Sequence, residues 1–336
     1  MNRELSRVQR IVFYTGLAVM TAGMIGMAVY GISLLFSAKT NRELREAYEQ
    51  PTVTEQAEAT QALATQAETN VPAEETPPPA TAEPAEERQN PARAKENSVP
   101  ASAGQKTSAA SARTAGSVLP AMNYPNNPGK QISSYFQNLQ QMNRDIVGWL
   151  KMGGIVDEAV VQRDNEFYLD HDAMGRNNVN GALFMDAGVN LDIRPYSYII
   201  YGHNRRAGAE FGSLRNYEKA AFDRADPFIS LNTVYEEGRY VIFAIGTVNV
   251  IDEKEEHFVD FLALMKNNAE EHREAIRVLQ ECSIYPDWLD VQPEDQLLLL
   301  VTCVSADDER RVVAARRIRD NERETDLIQM INDAVN

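Results

Sequence analysis

Three side chains in this sequence make up a set sufficient for acyl transfer: a thiol at Cys303, an imidazole at His203 and a guanidinium at Arg310. A thiolate attacks a carbonyl carbon, an imidazole handles the proton, and a fixed cation stabilises the oxyanion that forms in between. Each stands at the edge of an apolar run rich in β-forming residues. His203 follows Tyr198-Ile-Ile-Tyr-Gly202, Cys303 follows Leu297-Leu-Leu-Leu-Val-Thr302, and Arg310 precedes Arg311-Val-Val-Ala-Ala315. Ends of strands can converge on one rim. Each residue also has a commoner structural role. A cysteine after four leucines is usually a buried small hydrophobe, a histidine beside glycine and asparagine is usually a turn residue, and an arginine at a strand end is usually a solvated charge. The catalytic reading rests on the combination.

The remaining titratable groups add little to that set. Cys282, in Gln280-Glu-Cys-Ser-Ile-Tyr285, follows a helical pattern and reads as a packed residue. Two cysteines permit one disulfide or leave a reactive thiol; they do not form a metal site alone, and no Cys-x-x-Cys pair occurs. His171 and His257 lack ligand-spaced partners, so neither a metal nor another cofactor is expected. The formal net charge of −16 excludes a nucleic-acid backbone as partner, because phosphate binding needs clustered Lys and Arg.

The elements that must position these groups occupy only part of the chain. Residues 11–36 carry no charge. A helix of that length crosses a hydrocarbon core of about 30 Å. A cleavable signal peptide is the alternative, but its apolar stretch runs about 7–15 residues and ends at a small-residue site. The sequence here runs on into Ser37-Ala-Lys-Thr40, so a retained anchor is expected, with residues 1–10 as a short cytoplasmic tail. Arg3, Arg7 and Arg10 before the span balance Lys39, Arg42 and Arg45 after it, and the N-terminal amine tips the positive-inside count toward an inside N-terminus. Residues 37–128, rich in Ala, Pro, Thr and Glu, are read as a disordered linker. As a coil they would hold the domain about 50–60 Å from the span on average.

Residues 129–336 have the pattern of one packed domain. Ile132, Tyr135, Phe136, Leu139 and Met142 recur at helical spacing. Short β-branched and aromatic runs follow at 159–162, 181–186, 196–201, 239–250, 296–303 and 311–318. Helical patterns occupy 214–223, 257–280 and 322–335, and Asp226-Pro-Phe228 reads as a turn and helix start. The pattern is mostly β with peripheral helices and suggests a closed or nearly closed mixed barrel, although periodicity alone goes no further than a β-rich barrel or sandwich.

The stretch from about 146 to 318 resembles a class B sortase, a cysteine transpeptidase. The residues that carry the likeness are Asp145-Ile-Val-Gly-Trp149, Ala159-Val-Val-Gln162, Tyr168-Leu-Asp-His-Asp172, Gly181-Ala-Leu-Phe-Met-Asp186, Ile200-Tyr-Gly-His-Asn204, Phe211-Gly-Ser-Leu214, Val301-Thr-Cys303 and Arg310 with Val312-Val-Ala-Ala315 behind it. The resemblance implies an eight-stranded sortase barrel with an N-terminal helix and a further helix between Val250 and Gln296. It implies cleavage of a C-terminal sorting motif after Thr, with a thioester on Cys303 that an amine resolves. Such partners are secreted proteins bearing the motif and, as acceptor, a peptidoglycan precursor; a pilin lysine, as in pilus assembly, is the alternative, and a catalytically idle binding module is another. His203 becomes the general acid/base, Arg310 the group on the carbonyl or oxyanion, and Asn204, Thr302 and Val301 substrate contacts. The family pattern of Arg, any residue, Val, Val selects Arg310 over Arg311, and strand neighbours point to opposite faces. Two departures stand out: Val301 replaces the usual Ser, and only residues 304–309 separate the cysteine from the arginine. The enzyme is expected at a cell membrane, with the catalytic domain outside, in a Gram-positive bacterium.

Overall fold

The computed structural model describes residues 7–49, 118–204, 211, 212, 214, 226–303 and 309–335. Eight strands close into one barrel: β1 (Ile146–Met152), β2 (Val156–Val161), β3 (Leu183–Met185), β4 (Ser197–Tyr201), β5 (Phe228–Thr233), β6 (Glu237–Asn249), β7 (Leu297–Cys303) and β8 (Glu309–Arg317). Around the barrel they run β1-β2-β3-β4-β7-β8-β6-β5. The β2–β3 and β4–β7 pairs are parallel and the others antiparallel. The helices are α1 (Arg7–Glu49), α2 (Ser134–Met142), α3 (Phe261–Leu264), α4 (Ala269–Glu281) and α5 (Glu324–Val335).

The period-2 alternation of the strands divides two apolar layers. Leu298 and Leu300 of β7, Val313 and Ala315 of β8, and Tyr198 and Ile200 of β4 fill the barrel interior. Leu297, Leu299, Val301, Val312, Ala314 and Ile199 form an outer layer under Ile276 and Leu279 of α4 and Leu327 of α5. Four consecutive leucines are thus accounted for by a strand buried on both faces.

Three sequence-based expectations are corrected. The helical pattern at 257–280 is two helices: the first ends at Leu264 with Met265 as its C-cap, and Asn268 starts the second, capping α4 by accepting from the Glu270 and Glu271 amides. Asp226-Pro-Phe228 leads into strand β5: Ile229, Ser230, Leu231 and Asn232 pair with both β1 and β6, and Pro227 stands just ahead of the strand, where a missing amide is tolerated. The helical pattern at 214–223 lies outside the described residues, apart from Leu214.

The third correction concerns the linker. Helix α1 does not stop at residue 36 but continues to Glu49 and packs on the barrel. Leu44 is fully buried, and Tyr48 stacks on Trp149 with ring centroids 4.5 Å apart and planes 7° off parallel. The Asn232 side-chain amide donates to the Tyr48 hydroxyl at 2.8 Å. At the other boundary Leu119 and Tyr124 are buried, Tyr124 donating to the Leu191 carbonyl at 2.9 Å. Ordered structure thus extends inward from both ends of the expected linker; residues 50–117 lie outside the described residues.

Glu158 of β2 sits half-buried beneath α1. Burial pushes its carboxyl up to about 7 from an ordinary 4.5, against the opposing pull of Asn41 and Arg45 on α1. A raised folded-state value means that this site's stabilisation is full below pH 4.5 and is lost as pH rises through about 7. Melting temperatures of the full chain measured across that window will fall with pH more steeply for the wild type than for Glu158→Gln. Equal slopes would assign the pH dependence to another group.

Candidate active site

The β4–β7 register aligns Tyr201 with Val301. The Gly202 amide then donates to the Val301 carbonyl at 3.1 Å, extending the pairing one residue further. His203 and Cys303, a hundred positions apart in sequence, therefore leave the same rim of the barrel on adjacent strands. The antiparallel β7–β8 register places Arg310 directly opposite Cys303 and Arg311 opposite Thr302. Directly opposed residues in such a pair share a face.

A cleft of about 520 Å³ opens at this rim, lined by His203, Val301, Thr302 and Arg310. That volume suits a peptide-sized ligand. Tyr201, Asp186 and Asn165 supply further polar lining, while Leu169, Phe184, Val250, Phe261 and Leu262 make it largely apolar. Of the two neighbouring arginines, Arg310 lines the cleft. Its charge also reaches the Tyr201 phenol, opposing the burial and the Asp186 carboxylate that together raise that phenol well above its ordinary value. Tyr201 donates to Asp186 at 2.9 Å, and Asp186 also accepts from Asn165 at 3.2 Å and from the Gly188 amide at 2.7 Å.

The imidazole of His203 is half-buried and held from behind. Its Nε2 lies 2.7 Å from the Leu169 carbonyl oxygen. A carbonyl only accepts, so Nε2 carries the hydrogen, and Nδ1 is the basic nitrogen of the neutral ring. Gly181 crosses behind the same ring at φ +76°; a Cβ there would stand 2.6 Å from the Tyr168 carbonyl and 3.0 Å from His203 Cδ2. Only glycine combines that backbone angle with that approach.

The expected substrate contacts separate. Val301 and Thr302 line the cleft, and Val301, fully buried, gives an apolar wall where a serine would have offered a hydroxyl. The Thr302 hydroxyl is buried and makes no hydrogen bond among the described residues, an arrangement in which a bound ligand would supply the missing partner. Asn204 is half-buried and is not among the residues lining the cleft. Cys282 keeps a free thiol, which closes the disulfide alternative, and burial pushes that thiol up to about 11, away from reactivity. Sequence reasoning passed over Leu169, Asn165, Asp186, Phe261 and Leu262 as site residues. Their loops and short helix are brought to the rim by tertiary packing, and their residue types carry no chemical signature of their own.

No family model matches the chain. It is 26% identical over 186 residues to sortase B of Listeria monocytogenes, covering 54% of this chain and 72% of that protein. Sortase B of Staphylococcus aureus is 25% identical over 193 residues, 56% of this chain and 76% of the relative. Among solved structures, sortase B of Bacillus anthracis in complex with AAEK2 superposes with a TM-score of 0.51 at 26% identity, covering 60% of this chain and 90% of that one. A Bacillus anthracis protein similar to sortase B gives 0.50 at 27%, over 59% and 88%. With the barrel and the rim cleft, these relatives support a sortase, a cysteine transpeptidase, as what the chain is most similar to. Within that family its likeness is to class B.

Gly181→Ala is expected to cost about 1–3 kcal/mol through backbone strain and to displace the His203 ring. Thermal melting together with the imidazole resonances of His203 checks both effects. A variant that melts like the wild type with unmoved resonances would show that the loop yields without the ring.

Proposed function

We propose that this chain is a membrane-anchored transpeptidase that cleaves a C-terminal sorting motif after Thr and transfers the released carboxyl group to an amine of the peptidoglycan. The observation that supports this most is the paired register of β4, β7 and β8, which brings His203, Cys303 and Arg310 to one rim. In this reading the Cys303 thiolate adds to the threonyl carbonyl carbon, and the Arg310 guanidinium holds the resulting oxyanion. Collapse breaks the C–N bond as His203, which took the Cys303 thiol proton when the thiolate formed, gives that proton to the departing amine, leaving a thioester on Cys303. The acceptor amine adds to that thioester and loses its proton to His203. The thiolate then leaves, and a new amide is formed.

The anchor would be the apolar part of α1. Val19, Met20, Met24, Met27, Val29, Ile32, Leu35 and Phe36 on it are exposed, as a lipid-facing helix requires. The helix is long and apolar enough to cross a membrane. With the N-terminus inside, the barrel lies outside the cell. The curated relatives come from Gram-positive species, which suits a cell-wall acceptor.

The test is cleavage of fluorogenic sorting-motif peptides by the full chain in detergent, with and without added amine. Cys303→Ala and His203→Ala are expected to abolish turnover. Arg310→Lys is expected to lower kcat/KM about 10²–10³-fold by loss of oxyanion contacts, whereas Arg311→Lys should change it less than about threefold. A larger loss from Arg311→Lys would reverse the assignment, and Cys303→Ala activity equal to the wild type would end the thioester reading. A lysine-bearing peptide preferred over a peptidoglycan-derived amine would assign the enzyme to pilus assembly.

A further inference from the structure

From the last turn of its apolar segment onward, α1 meets the barrel along one stripe: Ser33, Ser37, Thr40, Leu44 and Tyr48, spaced three or four residues apart. The distal end of this stripe is apolar and packs on β1. The end nearer the span is polar; the Thr40 hydroxyl lies 3.0 Å from the Phe36 carbonyl of its own helix, and the partners this end meets on the barrel belong to one segment, residues 170–181. Ser33 donates to Asn178 Oδ1 at 2.5 Å, and Asn178 Nδ2 donates to Ser37 Oγ at 2.9 Å. Asn180 Nδ2 donates to both serines, at 3.2 and 3.1 Å. The Thr40 hydroxyl donates to Asp172 Oδ2 at 2.9 Å, and Arg176 reaches both Thr40 and Asp172. Thr40 and Asn180 are fully buried, and Asp172 and Asn178 nearly so. Hydrogen bonds made this far from water are strong, and breaking one leaves a desolvated group unpaired.

The same segment touches His203 from its other side. Its start is tied to Leu169, whose carbonyl accepts from His203 Nε2, and its end is Gly181, packed on the imidazole edge. It is braced internally by Asn178 N to Asp170 O at 2.7 Å, Gly181 N to Asn178 O at 2.9 Å and Ala182 N to Tyr168 O at 3.0 Å. A displacement at Asp172 or Asn178 is therefore carried to the carbonyl that fixes the ring. Two elements remote from each other in sequence, residues 33–40 and His203, are connected through a segment of a dozen residues clamped at both faces.

We propose that the juxtamembrane part of α1 is a positioning element for His203: Ser33, Ser37 and Thr40 hold the 170–181 segment so that the Leu169 carbonyl fixes the tautomer and orientation of the imidazole. The proposal rests on His203 as the proton-transfer group of the reading above. It makes the helix that enters the membrane a component of the active site's geometry, so that dislodging that helix misaligns the imidazole without touching the cleft.

The experiment uses the full chain in lipid nanodiscs, comparing Thr40→Val, the Ser33→Ala/Ser37→Ala double variant and the conservative Thr40→Ser. Two readouts are taken on each: the isotope-edited imidazole spectrum of His203, which needs no turnover, and the pH profile of kcat and KM with a cleaved peptide. Thr40→Val is expected to reduce kcat on the order of tenfold, because small misplacements of a catalytic group are costly. KM should stay within about twofold, the limb of the pH profile set by the imidazole should shift, and the Nε2–H tautomer signal should weaken. Thr40→Ser should restore all of these, and melting temperatures should show each variant folded. Unchanged imidazole signals and pH profile in both the valine and the alanine variants would overturn the proposal, as would a loss of kcat that Thr40→Ser fails to restore. If the wild type turns over no peptide, the imidazole spectra still decide the positioning role, and the transpeptidase reading alone is lost.

Discussion

The parallel pairing of β4 with β7 is the constraint on which the rest of the site depends. Nothing local in the sequence joins the two strands. They are held by five consecutive register pairs from Ser197–Leu297 to Tyr201–Val301. A slip of one residue would turn the interior leucines outward and the outer ones inward. Because β7 is buried on both faces, by the barrel core and by α4, either slip strands polar or apolar groups in the wrong layer. The register that places His203 beside Cys303 is thus fixed by packing far from the cleft. The small residues Ala314 and Ala315 of β8 face Leu299 and Leu298 and let the next strand close in, which sets Arg310 opposite the cysteine position.

Around that rigid rim, less regular segments supply shape. The insertion between β6 and β7 brings Phe261 and Leu262 to one wall, and the segment after β2 brings Asn165 and Leu169 to another. The division matches a common arrangement, in which a scaffold fixes the reacting groups and loops define what they meet. Asp186 links the two parts, accepting from Tyr201 on the rim and from Asn165 on the loop. Its carboxylate is engaged in holding the cleft together.

The helix that carries the apolar segment changes how the barrel relates to that segment. A coil of residues 37–128 would have let the barrel range widely. Instead, the contacts from Ser33 to Tyr48 begin within the last turn of the apolar stretch. The residues flanking 50–117 both end on the barrel, at Tyr48 against Trp149 and at Leu119 against the layer of Tyr196 and Ala269. The distance between the apolar segment and the cleft is set by the packing of α1 on the barrel.

Much of the site was legible because its chemistry is concentrated in rare residue types at strand ends. A thiol, an imidazole and a guanidinium beside runs of Leu, Ile and Val announce themselves, and their order along the chain carries the family likeness. The preference for Arg310 over Arg311 came from the family likeness, strand alternation saying only that one of the two can face the site; of the pair, Arg310 lines the cleft. The extent of α1 was not legible in the same way. Composition marks 37–49 as polar, yet its stripe of Ser37, Thr40, Leu44 and Tyr48 becomes a buried face only once β1 and the 170–181 segment are present to receive it. Strand β5 was obscured by Pro227, whose meaning depends on whether its neighbours pair. The sequence by itself determined which groups could react and which faces of each strand would be buried, since both follow from residue type and local period. Only the tertiary structure decided which strand ends meet, which carbonyl holds the imidazole and what helix α1 touches, because those are contacts between segments that no local pattern connects.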